Sequence, residues 1–334
     1  MQGAFGLELV ISDIGGRGAN PLRVRLFLKF NSSKIFKKMN PVFPYSGGKR
    51  RLLKYILPVI PEHSTYIEPF AGGLAVFLAK PRAKVEVIND LNAEVSGFYL
   101  YVREHLESLL AEMEWYLHSV DIFNRLRDSR GLTELQKVAR WYLLKVSSFS
   151  GFGDYYARDS RGYRGFSRDR HVPAIRALHE RLKNVYIEQR DWQQVVDFYD
   201  NENAFVYFDP PYCTGDAGTY EAFAPEDMEI LRNKLYTLKG KWLLSCDGSS
   251  ICREIFGDFA KVEIPFKYSA GTGDRVRPEK SEMIVACDAL AVALQNACNP
   301  AKSPIFIDSN DTPPPRKTPA GVPLRGVGLL EIAA

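Results

Sequence analysis

The sequence has few of the residues from which disulfide frameworks and metal sites are built. Its 334 residues include five cysteines and five histidines. The cysteines are widely spaced without a C-x-x-C pair, and the histidines form no H-E-x-x-H motif. Because disulfide frameworks and zinc sites depend on such spacings, we predict no structural or catalytic metal.

Long apolar runs are also missing. No uninterrupted run approaches the ~20 residues that cross a bilayer, and the N-terminus lacks the pattern of a cleavable signal peptide. The hydrophobic content of 46% is nevertheless sufficient for a sizeable core. We therefore expect a globular, cytoplasmic protein with no membrane partner.

The net charge of +4 excludes little, but basic residues concentrate in two segments. Within residues 158–176 arginine far outnumbers aspartate, and tyrosine and phenylalanine are interleaved with it. A second segment, residues 271–280, combines glycine with arginine and lysine. Such segments are typical of nucleic-acid surfaces rather than of solvated helix faces. The predicted DNA-binding residues are Arg158, Arg161, Arg164, Arg168, Arg275 and Arg277.

Our interpretation of the chain starts from the apolar run at residues 204–208 and the four residues after it. The run predicts a strand buried on both faces, which Pro210 and Pro211 then end because proline has no backbone donor. Asp209 can accept one hydrogen bond from an exocyclic amine and the Pro210 carbonyl a second, while Tyr212 stacks on the ring. The sequence therefore predicts a site for a nucleobase amino group.

Two glycine-rich turns precede this site. Residues 43–49 end in Gly-Gly-Lys, but they lack the G-x-x-x-x-G-K-[ST] spacing of a phosphate loop. Residues 68–73 follow a short strand and open a helix, an arrangement that lets a nucleotide-like ligand approach the backbone. The next predicted strand ends at Asp90, where ribose hydroxyls are usually held. Because G-x-G-x-x-G is absent, a nicotinamide oxidoreductase is disfavoured.

The remaining pattern alternates strands with helices, and we predict seven strands in a mainly parallel sheet. The loop between the last two strands is short enough for an antiparallel pair.

Four motifs together resemble the Dam-type (D12 class) DNA adenine-N6 methyltransferases, including those common in phages and prophages. They are Phe-Pro-Tyr-Ser-Gly-Gly-Lys at 43–49, Glu-Pro-Phe-Ala-Gly-Gly at 68–73, Val-Ile-Asn-Asp at 87–90 and Tyr-Phe-Asp-Pro-Pro-Tyr at 207–212. The resemblance covers about residues 39–288. It departs from the commoner Phe-x-Gly-x-Gly form at Gly72 and Gly73, which are adjacent and followed by Leu74.

The resemblance implies a site-specific, adenine-specific DNA methyltransferase with a Rossmann-like α/β fold that uses S-adenosyl-L-methionine. It implies a catalytic domain at 39–93 and 185–288 and a helical, basic target-recognition insertion at 94–184. Outside these ranges we expect a disordered extension at 1–38 and a flexible tail at 289–334.

The resemblance also assigns site residues. The cofactor would be bound by Tyr45 and Lys49 at its methionine end, by the loop Phe70, Ala71, Gly72 and Gly73, by Asp90 at the ribose and by Asp191 at its adenine. The target adenine would be held by the catalytic tetrapeptide Asp209, Pro210, Pro211 and Tyr212. Methyl transfer to adenine N6 would then follow once the base has left the stack of double-stranded DNA.

Several alternatives stay open. An amino-methyltransferase could instead act on cytosine N4 or on RNA, and a DNA-binding protein could carry a silent methyltransferase fold. Cytosine-C5 methylation is disfavoured because the nucleophilic Pro-Cys dipeptide is absent. The sequence does not specify the DNA site, the oligomeric state or whether a cognate restriction enzyme accompanies the protein.

Overall fold

Strands and helices alternate through the part of the chain that the computed structural model describes, which comprises residues 39–157, 165–212, 223–266 and 280–299. The strands are β1 (Thr65–Glu68), β2 (Val85–Asn89), β3 (Val185–Glu188), β4 (Ala204–Phe208), β5 (Lys241–Asp247), β6 (Ala260–Phe266) and β7 (Lys280–Ala286). The helices are α1 (Leu53–Ile56), α2 (Ala75–Ala79), α3 (Ala93–Glu104), α4 (Leu106–Met113), α5 (Val120–Asp128), α6 (Glu134–Ser147), α7 (Arg168–Leu182), α8 (Trp192–Tyr199), α9 (Pro225–Leu235), α10 (Ser250–Ile255) and α11 (Ala291–Cys298). Short 3-10 turns lie at Lys49–Leu52, Leu57–Val59, Phe149–Gly151 and Asp288–Leu290.

The strands form a seven-stranded sheet in the order β3-β2-β1-β4-β5-β7-β6. Strands β1 to β5 pair in parallel, whereas β7 is antiparallel to both β5 and β6. This confirms the predicted α/β fold with a mainly parallel sheet and an antiparallel last strand. In a parallel sheet the carboxyl ends of the strands lie at one edge, so the loops after β1, β2, β3 and β4 meet there.

Strand β4 is buried along its whole length because helices cover both faces of the sheet. Phe205 and Tyr207 pack in a core cluster with α3, α6 and α7. Val206 and Phe208 point to the opposite face and pack with α8 and α9. The central strand is therefore rigidly held where it delivers Asp209.

Helices α3 to α7 lie between β2 and β3 in the chain and pack around an aromatic cluster. The rings of Phe98 on α3 and Tyr142 on α6 are stacked, with centroids 4.9 Å apart and planes 3° apart. Phe43 meets the edges of Phe98 and Trp141 at 5.4 and 5.0 Å, and the Tyr142 hydroxyl donates to the Val42 carbonyl at 3.0 Å. These contacts anchor the segment that leads to Tyr45 and Lys49.

A buried ion cluster joins α7 to the sheet. Glu86 on β2 is 3% exposed and pairs with Lys80 at 2.7 Å and with Arg181 at 2.5 Å. Arg181 also donates to the Phe77 carbonyl at 2.9 Å. Burial opposes ionisation of Glu86, but the two cations outweigh it and lower the pKa of this carboxyl.

The predicted boundary of the C-terminal tail needs correction. Residues 289–298 were expected to belong to a flexible tail, but they complete a 3-10 turn and form α11. Leu290 and Leu294 are buried in the core cluster beside α1 and the turn at Leu57–Val59. Burial of these apolar side chains gives the segment a fixed position. The predictions for residues 1–38 and 300–334 lie outside the described residues.

Candidate active site

The loops after β1, β2, β3 and β4 enclose a cavity of about 2160 Å³. All of the predicted catalytic and cofactor residues line it, although they are spread along the chain from residue 45 to residue 212. They are Tyr45, Lys49, Phe70, Ala71, Gly72, Gly73, Asp90, Asp191, Asp209, Pro210, Pro211 and Tyr212. The fold therefore brings the separate motifs to one place.

The glycine turn after β1 is shaped around Tyr45. Gly72 has a positive φ of 44°, and a Cβ there would lie 2.7 Å from Tyr45 Cε1. Only glycine allows both this backbone conformation and this ring position. The turn is held from two sides, since Gly72 N donates to Asp90 Oδ2 at 2.8 Å and the Tyr99 hydroxyl donates to the Gly72 carbonyl at 2.6 Å.

Asp90 fixes the next loop with both of its oxygens. Oδ2 accepts from Gly72 N, and Oδ1 accepts from Asn92 N at 3.0 Å. Burial raises the pKa of Asp90, and these two hydrogen bonds partly counteract it. Each carboxylate oxygen keeps a further lone pair, so Asp90 can still accept hydrogen bonds from a ligand.

An aromatic wall and Asp191 lie on the other side of the turn. The Phe70 ring contacts Trp192 at 5.9 Å and meets Phe223 edge-on at 5.7 Å. Asp191 caps α8, with Oδ1 accepting from Gln193 N at 2.8 Å. Its second oxygen has no partner among the described residues. A flat ring with an amino group would find both an apolar wall and an acceptor here.

Lys49 connects the first glycine turn to the catalytic tetrapeptide. The side chain is 4% exposed, and Nζ lies 2.6 Å from Asp209 Oδ1. Nζ also donates to the Gly47 carbonyl at 2.7 Å and to the Tyr212 hydroxyl at 2.9 Å, so its three protons have acceptors. Burial alone would lower the pKa of Lys49, but the carboxylates of Asp209 and Glu282 raise it above its ordinary value.

The two oxygens of Asp209 have different surroundings. Oδ1 contacts Lys49 and accepts from the Ser245 hydroxyl at 2.9 Å, while Ser245 is itself 2.7 Å from the Tyr207 hydroxyl. Oδ2 has no partner among the described residues. Burial raises the pKa of Asp209, and Lys49 and Ser245 partly counteract it. The carboxylate is thus fixed through one oxygen while the other is available to a ligand.

Tyr212 lies next to this carboxylate and is held at its hydroxyl. The hydroxyl donates to both oxygens of Glu282 on β7, at 2.7 and 2.6 Å, and accepts from Lys49. Glu282 is 6% exposed. Burial raises its pKa, with Lys49 and Tyr212 counteracting. The site thus contains a fixed carboxylate, a buried cation and an oriented phenol ring.

Comparison with known families shows which family the chain belongs to. A family model described as D12 class N6 adenine-specific DNA methyltransferase matches residues 45–268. The chain belongs to this family.

Relatives of this D12-class chain are named as methyltransferases. The chain is 29% identical over 278 residues to the Type II methyltransferase M1.LlaDCHI of Lactococcus lactis subsp. cremoris, which covers 74% of the chain and 95% of that protein. It is 26% identical over 253 residues to the Type II methyltransferase M.CviBI of Paramecium bursaria Chlorella virus NC1A, covering 71% and 96%. A shorter match, 29% over 124 residues, is to the DNA N-6-adenine-methyltransferase of Escherichia phage P1, covering 34% and 16%.

The sequence interpretation missed Ser245 and Glu282, which donate to Asp209 and accept from Tyr212, respectively. Ser245 lies in the apolar run of β5, and Glu282 immediately precedes the apolar second half of β7. A polar residue inside a buried strand is a signal that could have indicated both, because burying such a group requires a partner. The partners could not be named from the sequence, since they lie far away in the chain, on β4 and in the residues after it.

Most of the predicted DNA-binding arginines lie outside the described residues. These are Arg158, Arg161, Arg164, Arg275 and Arg277. Arg168 begins α7, is 61% exposed and pairs at 2.8 Å with Glu114, the residue that follows α4. It is not among the cavity residues.

The described residues contain no group of three or more His, Cys, Asp or Glu side chains placed to hold a metal ion. They also contain no helix that is long and apolar enough to span a membrane.

Proposed function

We propose that this D12-class methyltransferase transfers the methyl group of S-adenosyl-L-methionine to N6 of an adenine flipped out of double-stranded DNA. The observation that carries the proposal is the shared cavity. The residues that the family resemblance assigns to cofactor and to target base line one space, with Asp209 and Tyr212 beside the glycine turn.

The cavity residues offer the cofactor an aromatic wall and hydrogen-bond acceptors. A Cβ at Gly72 would collide with Tyr45, so glycine lets this ring, itself a proposed cofactor contact, pack directly on the turn. Asp90 would accept from the ribose hydroxyls, and the second oxygen of Asp191 would accept from the adenine amino group beside Phe70. Bound S-adenosyl-L-methionine would supply an electrophilic methyl group.

The catalytic tetrapeptide would orient the adenine amino group. Asp209 Oδ2 would accept one amino proton and the Pro210 carbonyl the other, while Tyr212 would stack on the ring. Drawing both protons toward acceptors directs the nitrogen lone pair toward the methyl group, so in-line attack needs no covalent enzyme intermediate. The proton is lost after alkylation, which means that Asp209 does not need to be a strong base.

Duplex contacts are proposed for the basic, tyrosine- and glycine-rich segment at 147–172 and for the segment at 271–280. Arginine and lysine there would contact phosphates and base edges. Charge reversal at Arg161 and Arg164 should weaken DNA affinity and reduce its salt dependence. Unchanged affinity and salt slope would contradict this assignment. The cytoplasmic location stays a prediction.

The test is incubation of the purified chain with S-adenosyl-L-methionine and unmethylated genomic DNA, followed by single-molecule sequencing of modified bases. N6-methyladenine at a defined motif is the expected result, and it would also reveal the recognised sequence. N4-methylcytosine, or methylation of RNA alone, would contradict the proposed substrate. Cofactor binding without any methylation would indicate a silent DNA-binding protein.

A further inference from the structure

Glu282 is a buried carboxylate in the antiparallel part of the sheet. It lies on β7, where it pairs with Asp247 of β5 and Ile264 of β6. The residues that follow it in β7, Met283 to Ala286, are all buried and apolar. A buried carboxylate is costly to keep, and an apolar residue would usually serve stability as well or better. Its presence therefore calls for a role beyond packing.

The hydrogen bonds of Glu282 lead to Tyr212. The tyrosine hydroxyl has one proton, which is shared between Oε1 and Oε2 at 2.7 and 2.6 Å. The same oxygen is then available as an acceptor, and Lys49 Nζ donates to it at 2.9 Å. Lys49 in turn lies 2.6 Å from Asp209. Glu282 thus stands at the end of a chain of contacts that reaches the carboxylate of the catalytic tetrapeptide.

These contacts fix the position of the Tyr212 hydroxyl and with it the direction of the ring axis. A tyrosine side chain has two rotatable bonds; holding the hydroxyl fixes rotation about the first, and the preference of a phenol O–H for the ring plane favours one rotation about the second. Tyr212 and Lys49 line the cavity, whereas Glu282 does not. The hydrogen bonds of Glu282 therefore act on a ligand in the cavity through Tyr212.

We infer that Glu282 is a positioning residue for methyl transfer, holding Tyr212 and Lys49 so that the ring and Asp209 meet the target base together. The inference rests on the proposed function. A loosely held ring would still allow the cofactor to bind at the glycine turn, but fewer base encounters would be productive. Loss of Glu282 should consequently lower kcat more than it changes KM for S-adenosyl-L-methionine.

A double-mutant cycle on the full chain tests this. The variants are Glu282→Gln, Tyr212→Phe and the double substitution, assayed on an oligonucleotide that contains the motif found by sequencing. Glu282→Gln keeps the size of the side chain and removes its charge. We expect it to lower kcat about tenfold in the wild-type background, and to have little further effect in the Tyr212→Phe background, because interacting residues are non-additive.

Glu263→Gln on β6 is the matched control. Glu263 pairs with Arg253 at the surface, and its strand neighbours β7 directly. The same carboxylate-to-amide change there should leave kcat and both KM values unchanged. If Glu282→Gln is too unstable to assay, the cycle is repeated with Glu282→Asp, which keeps the charge but withdraws the carboxylate from the Tyr212 hydroxyl and should also lower kcat.

The outcomes separate the inference from the function on which it rests. Wild-type kcat in the Glu282 variant would overturn the inference. So would equal fold-losses from Glu282→Gln in the Tyr212 and Tyr212→Phe backgrounds, since a merely structural role acts independently of the hydroxyl. A wild-type chain that binds cofactor but methylates no DNA would overturn both the inference and the proposed function.

Discussion

Replacement of Glu68 by glutamine should change how the stability of the protein depends on pH. Glu68 ends β1, is 2% exposed and lines the cavity. Its Oε2 accepts from the Tyr66 hydroxyl at 2.5 Å and from Phe77 N at 3.1 Å. Burial dominates and raises its pKa from 4.5 to about 8, although these hydrogen bonds counteract it. The folded protein therefore holds this carboxyl in its neutral form at neutral pH.

The sign of the effect follows from proton binding. Between pH 4.5 and about 8 the folded state keeps a proton on Glu68 that the unfolded state has released. The free energy of unfolding must then fall as pH rises through this interval, by up to about 1.4 kcal/mol per pH unit. Across the interval the free energy of unfolding falls by about 5 kcal/mol. Below pH 4.5 Glu68 is protonated in both states, so its full contribution to stability is present.

Glu68→Gln removes the titration but keeps an oxygen that can accept the same two hydrogen bonds. Urea denaturation from pH 5 to pH 9 should show wild-type stability falling relative to the variant as pH rises. Glu62→Gln, at an exposed site just before β1, is the control and should follow the wild type. A stability difference between wild type and Glu68→Gln that stays constant across this range would refute the reasoning.

Three further predictions concern catalysis, cofactor binding and the buried ion cluster. Asp209→Ala should abolish methylation while leaving cofactor binding, measured by calorimetry, largely intact; near-wild-type turnover would contradict its role. Gly72→Ala should weaken S-adenosyl-L-methionine binding about tenfold or more, because its Cβ would displace Tyr45. Gly131 also has a positive φ, of 67°, but a Cβ there would meet nothing within 4 Å, so Gly131→Ala is the control. Equal loss of cofactor binding in the two variants would exclude the clash with Tyr45 as the cause. Glu86→Gln should reduce the free energy of unfolding by about 3–5 kcal/mol in urea titrations, because two buried cations lose their counter-charge; a change within error would show that the cluster is not needed.

The sequence predicted the elements well where local signals were strong. The apolar run at 204–208 became β4 with the same bounds. Asp90, predicted to close the strand after the second glycine turn, directly follows β2. The tail at 289–298 was predicted wrongly because an alanine-rich stretch has little periodicity. Its helix is fixed by burial of Leu290 and Leu294 against distant helices, which no local pattern reveals.

For the candidate site, too, the sequence predicted some features and the structure supplied the rest. The family motifs named Lys49, Asp209 and Tyr212, but their mutual contacts join residues far apart in the chain. Glu282 was missed because its partner Tyr212 is 70 positions away. Pairing of β7 with β5 places Glu282 opposite Asp247 at the edge of the sheet where the loop after β4 begins.

The sequence by itself determined most strand and helix types and the reaction class, and it predicted which residues would contact the ligands, because these depend on residue chemistry and on short spacings. The tertiary structure alone decided the ion pair between Lys49 and Asp209, the raised pKa of Glu68 and the hydrogen bonds from Tyr212 to Glu282. Each of these depends on burial and on distances between separate strands. Both quantities are set by how the sheet and helices pack together.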